Sequence, residues 1–131
     1  MGQWIVKFRA PGDGPETGVV EYAYSLLAKQ AGLEMADCEL ITQGQGAKSE
    51  RFFATRRFDR LADGGKVHMM TTAGILYANH QQPELDYEDL MTLTSTVTKN
   101  AGQVGRMARL MVFNALFHNH DDHAKNFAFV R

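Results

Sequence analysis

The sequence predicts an α+β fold in two parts, a small lobe mixing strands with a helix and then a mainly helical lobe. Three observations predict it. Residues 4–9, WIVKFR, alternate in strand fashion, and the next periodic segment, 17–31, has helical spacing. Two β-rich stretches follow at 38–42 and 51–57. Past residue 58 helical spacing dominates until a short strand-like segment, FAFV, at 127–130. The predicted division is therefore 1–57 for the mixed part and 58–131 for the helical part.

Taken in order, the first strand places Trp4, Val6 and Phe8 on one side and Ile5, Lys7 and Arg9 on the other, so Lys7 points away from the aromatic face. The loop 10-APGDGPETG-18 carries two prolines and several glycines, which interrupt regular structure. Over 17–31, Val20, Ala23, Tyr24, Leu27 and Ala31 recur at helical intervals, Glu21 lies beside that stripe, and Gly32 sits where a C-terminal cap belongs. The strands 38-CELIT-42 and 51-RFFATRR-57 are separated by the polar, glycine-containing 43-QGQGAKSE-50, which suits a hairpin loop. A turn is expected at Asp63-Gly64-Gly65. Helices are expected over 86–98 and 102–117, the second with Val104, Met107, Ala108, Met111 and Ala115 along one face.

Composition narrows the function classes. At 131 residues the chain is one domain or part of one, short for an enzyme that encloses a nucleotide. Apolar residues at 44% and charged residues at 22% are ordinary for a globular chain. A formal charge of −1, with both signs interspersed, gives no electrostatic reason to expect direct contact with nucleic acid or an anionic membrane. The single cysteine, Cys38, cannot form an internal disulfide, which fits a reducing cytoplasm. No apolar run approaches the roughly 20 residues of a membrane span. The start, MGQWIVKF, lacks the basic and apolar regions of a signal peptide, and Val6 stands where an N-myristoylation signal needs Ser or Thr.

The stretch 118-HNHDDHAKN-126 carries the densest chemistry and parses in two ways. His118, His120, Asp122 and His123 follow the order His-x-His-x-Asp-His, by which metallo-β-lactamase-type hydrolases hold zinc. Against this, that class needs further ligands downstream in a large β-rich domain. In the other parse Asp121 takes the proton of an attacking hydroxyl and Asn126, five residues on, holds magnesium, as in the kinase pattern H-R-D-x-x-x-x-N. Phosphoryl transfer also needs a lysine for the phosphates and a carboxylate to hold that lysine. Lys7, on a strand, and Glu21, on the next helix, stand in the right order for those roles, although each alone reads more often as a solvated surface charge.

With these elements in place the chain resembles the HipA family of serine/threonine kinases, toxin-type bacterial enzymes with a protein-kinase-like fold. The likeness is carried by 4-WIVKF-8, 20-VEYAYSLLAKQAGL-33, 57-RFDR-60, 67-VHMMTTAGIL-76, 86-DYEDL-90 and 112-VFNALFHNHDDHAKNFAFV-130, in the family's order. The resemblance implies that Lys7 contacts ATP phosphates and Glu21 lies near it. It implies that the backbone around Arg56 and Phe58 hydrogen-bonds adenine, with Asp59 close to the nucleotide. Asp121 would be the catalytic base and Asn126 a magnesium ligand, with His123 and Lys125 lining the loop. Asp59 and Arg60 read as well as a structural ion pair between the lobes. ATP, magnesium, a protein hydroxyl as acceptor and a DNA-binding antitoxin partner are implied in the same way. The family's second magnesium-binding aspartate and its phosphate-covering loop have no counterpart in these residues. The resemblance therefore implies a fragment, with little phosphoryl transfer expected of it alone. A non-catalytic binding module is the alternative.

Overall fold

The structure is a computed structural model and describes residues 2–76, 86–118 and 126–131. Its elements are β1 (Trp4–Lys7), α1 (Thr17–Gln30), β2 (Cys38–Gln43), a 3-10 turn (Gly46–Lys48), β3 (Glu50–Arg56), β4 (Met69–Thr71), α2 (Thr72–Ile75), α3 (Tyr87–Thr98), α4 (Ala101–Leu116) and β5 (Ala128–Val130). Helices and small sheets mix as an α+β fold. Two compact units divide between Val67 and His68.

In the first unit β3 is the central strand, with β1 and β2 antiparallel on either side of it. Its sequence, ERFFATR, is rich in the aromatic and β-branched residues that suit a pleated surface. Val6 and Glu39 lie opposite Ala54, which is completely buried, while Lys7 and Leu40 lie opposite Phe53. Directly opposed residues share a face of the sheet, so Lys7, Phe53 and Leu40 are on one face and Val6, Ala54 and Glu39 on the other.

Helix α1 meets the sheet through small residues. Gly18, Ser25 and Ala28 are its buried positions, whereas Val20, Tyr24 and Leu27 of the expected apolar stripe are exposed. The reason is close approach. A Cβ at Gly18 would stand 2.5 Å from the Arg51 carbonyl oxygen and 3.0 Å from the Phe53 nitrogen, so the helix start rests on the β3 backbone itself. Its other end closes as the glycine predicts: Gly32 is left-handed at φ 77°, and the Leu33 N–H reaches back to the Ala28 carbonyl.

After β3 the chain doubles back at the expected Asp63-Gly64-Gly65 turn. The Leu61 N–H donates to Gly65 O, the Val67 N–H donates to Asp59 O, and Arg60 bridges Lys66. These bonds close residues 59–67 on themselves, within the first unit.

The second unit joins a two-stranded ribbon to helices. Met69, Met70 and Thr71 of β4 pair with Val130, Phe129 and Ala128 of β5, and bonds at both ends extend the ribbon, Arg131 N–H to His68 O and Thr72 N–H to Phe127 O. The helices α3 and α4 begin with side-chain caps, Asp86 accepting from the Asp89 N–H and Asn100 from the Gly102 N–H. Lys99, left-handed at φ 50°, ends α3 and makes the tight connection between them. Leu90, Thr94, Phe113 and Asn114 are their buried residues. Thr94, Thr96 and Thr98 of α3 are accommodated by bonding carbonyls one turn back, as Thr94 Oγ1 does to Leu90 O at 2.7 Å. Strand β4 and the four-residue helix α2 after it are elements the sequence pattern misses, β4 because its residues need a distant partner. Three residues show no alternation, and their partner strand lies far along the chain.

Candidate functional site

Position along two elements sets the central pair of the first unit. The stripe of α1 that faces the sheet runs Gly18, Glu21, Ser25, Ala28, so a helix held down by Gly18 aims Glu21 at the sheet one turn later. Lys7 ends β1 on the same side. Its Nζ donates to Glu21 Oε1 at 2.5 Å. The lysine side chain is 63% exposed and the carboxylate 27%. Ion pairs this open contribute only about 0–1 kcal/mol to stability. The pair holds an ammonium group in place at an accessible surface, the arrangement that presents a cation to an anionic ligand.

The end of β3 holds the next group of candidates. The Arg56 N–H donates to Asp37 O and the Arg57 N–H to Gln3 O, so the sheet uses both amides. Among the described residues no partner is present for the Phe58 N–H, and its ring is 61% exposed. Asp59 is differently placed. Its carboxylate receives Arg57 Nε at 2.8 Å and Nη2 at 2.5 Å as a two-pronged bond, and Arg60 Nη1 at 2.9 Å. The Arg57 hydrogen bond, reinforced by the charges of Arg57 and Arg60, holds the carboxyl down at about 2 against the opposing effect of burial. The same bond raises the pKa of Arg57. Arg57 was not among the sequence candidates. Its signal was available in the spacing, because an arginine two residues before an aspartate in a turn can fold back on it.

In the second unit Asn126 is exposed, in the turn just before β5. Its neighbour Phe127 is buried and packs edge-on against Tyr87, with ring centroids 6.0 Å apart. Asn114 Nδ2 donates to the Tyr87 hydroxyl at 2.9 Å. Sequence reasoning missed this polar contact, although an asparagine inside the apolar run VFNALF signals a buried side chain that needs a partner. Asp121, His123 and Lys125 lie outside the described residues. So do His120 and Asp122 of the zinc parse, whose remaining member, His118, is exposed. Among the described residues no cluster of three His, Cys, Asp or Glu side chains could hold a metal. A separate cavity of about 380 Å³ in the first unit is lined by Arg9, Pro15, Ala47, Lys48, Ser49 and Glu50. No described helix is long and apolar enough to cross a membrane.

Residues 1–131 match the family described as "HipA-like C-terminal domain". The chain belongs to that family. The resemblance read from RFDR and DDHAKNF is thereby shown over the whole of this chain. A relative from Sinorhizobium fredii (strain NBRC 101917 / NGR234), named "Putative kinase Y4dM", is 27% identical over 141 residues, 98% of this chain and 33% of its own. The HipA-like chain thus spans about a third of that relative's length.

Proposed function

We propose that this HipA-like domain is part of a serine/threonine protein kinase that transfers the ATP γ-phosphate to a protein hydroxyl. The observation that carries the reading is the Lys7–Glu21 pair, a strand lysine held by a helix carboxylate on an accessible face. Such a lysine neutralises phosphate charge, and the carboxylate keeps it from swinging into solvent. The family membership and the relative's name support the same class. The two-lobed plan follows from it, with the mixed first unit as the small lobe and the helical second unit as part of the large one.

Within this reading Phe58 supplies the main-chain donor for adenine beside Arg56, since the Arg56 and Arg57 amides already serve the sheet. Asp59 organises the turn rather than touching nucleotide, because both its oxygens are committed to guanidinium groups. Asp121 accepts the proton of the attacking hydroxyl, and His123 and Lys125 line its loop. The Asn126 carboxamide oxygen is a hard neutral donor of the kind magnesium takes, so the residue fits the metal. Magnesium bound there would supply charge neutralisation at the phosphates. A protein substrate, a toxin-type role, an antitoxin that binds DNA and a cytoplasmic setting complete the proposal by family likeness.

Calorimetric titration of the chain with ATP and magnesium tests it. Saturable, magnesium-dependent binding is expected, and Lys7→Ala should weaken it about tenfold or more, the scale of a lost charge-assisted hydrogen bond. Asp121→Asn should leave binding intact, because the base acts on the acceptor hydroxyl and not on the nucleotide. Binding that ignores Lys7→Ala would overturn the assignment.

A further inference from the structure

We propose that Tyr87 and Asn114 are positioning residues that set the magnesium affinity of Asn126, an inference that rests on the kinase reading. Asn126 is exposed and sits one peptide bond from a buried anchor, Phe127. Two contacts in the second unit converge on that anchor, and a third supports one of them. The Phe127 carbonyl accepts the Thr72 N–H at 2.8 Å, which fixes the backbone at the end of the ribbon. Its ring meets the Tyr87 ring nearly perpendicularly, at 81°. The Tyr87 hydroxyl in turn accepts from Asn114 Nδ2, which is buried on α4 at 6% exposure. Tyr87 is the first residue of α3, whose start is locked by the Asp86 cap. The order of support runs from α4 through Asn114 and Tyr87 to Phe127 and so to Asn126.

A hydrogen bond differs from apolar packing here because it is directional. Phenylalanine and leucine in the same two places would fill the space without burying a polar group. They would leave the ring facing Phe127 free to tilt. The bond between the buried Asn114 amide and the half-buried Tyr87 fixes the orientation of the Tyr87 ring, and through its edge-on contact the position of Phe127. Groups that orient a metal ligand from behind typically change metal affinity by about 10–100-fold when removed.

The test compares Tyr87→Phe, Asn114→Leu and the double variant in the 131-residue chain. Magnesium titrations in the presence of ATP and melting temperatures are measured on the same samples. Each single variant should melt lower and bind magnesium about tenfold more weakly. The double variant should keep the weakened magnesium affinity. ATP binding in chelator should be the same in all. Recovery of magnesium affinity in the double variant, or unchanged affinity in the single variants, would overturn the proposal. Amide hydrogen exchange at Asn126–Ala128 without nucleotide gives an independent reading. Faster exchange in the double variant is expected, and unaltered exchange counts against the proposal. If the unaltered chain binds no magnesium while exchange responds as expected, the kinase reading fails and the positioning of Asn126 stands.

Discussion

Asp59 accepts from both Arg57 and Arg60, and its carboxyl titrates at about 2 rather than near the ordinary 3.8. A folded-state pKa below the unfolded one means that the contribution to stability is complete above the unfolded value, about 3.9, and is lost as pH falls through about 2. Comparing denaturation midpoints of the native chain and Asp59→Asn across pH should therefore show a constant gap from neutral pH down to about 5. The gap should narrow from about 4 downward, as the unfolded carboxyl takes up its proton, and close below about 2, where the folded carboxyl is protonated too. A gap that does not narrow as pH falls from about 5 to about 2 would mean that the charge is not what matters. The sequence left Asp59 two roles, nucleotide contact or ion pair. Only the arginine geometry shows both oxygens committed, because side-chain reach over two residues depends on the turn that the backbone makes.

At the scale of elements, the contact between α1 and β3 aims Glu21 at Lys7. An alanine at Gly18 would improve helix propensity by about 1 kcal/mol, but its Cβ would press on main-chain atoms of Arg51 and Phe53 that cannot step aside. Gly18→Ala should therefore destabilise the chain by about 1–2 kcal/mol net, measured by urea unfolding, where an exposed helical glycine would have given a gain. The helix itself was legible from Val20, Tyr24, Leu27 and Gly32. Which stripe faces the sheet was not. Apolar periodicity points to Val20, Tyr24 and Leu27, and the sheet instead accepts the small residues, because close backbone approach outweighs side-chain hydrophobicity at this contact. Strand β4 escaped for a related reason, since three residues become a strand only when β5 pairs with them.

For the whole molecule, two units of roughly 65 residues each have their own small cores, a size at which stability is marginal. Leu90 is 1% exposed in the second unit, and Leu90→Ala should cost about 2–4 kcal/mol there. The loss should appear as an earlier fall of the helical circular dichroism signal. Trp4, the single tryptophan, lies in β1 and reports on the first unit, where the fluorescence midpoint should move less. Equal displacement of both signals would show that the units unfold as one. By itself the sequence determined the order and approximate bounds of β1, α1, β2, β3, α3, α4 and β5, the Gly32 and Asp63–Gly65 turns, and the family, because periodicity, caps and motifs are local. Tertiary structure alone decided that β3 is central, that Gly18 rather than Val20 meets the sheet, that Arg57 clamps Asp59, and that Asn114 reaches Tyr87 behind Phe127. Each of these depends on which distant residues meet, and that choice rests on packing and hydrogen-bond direction, which no spacing along the chain encodes.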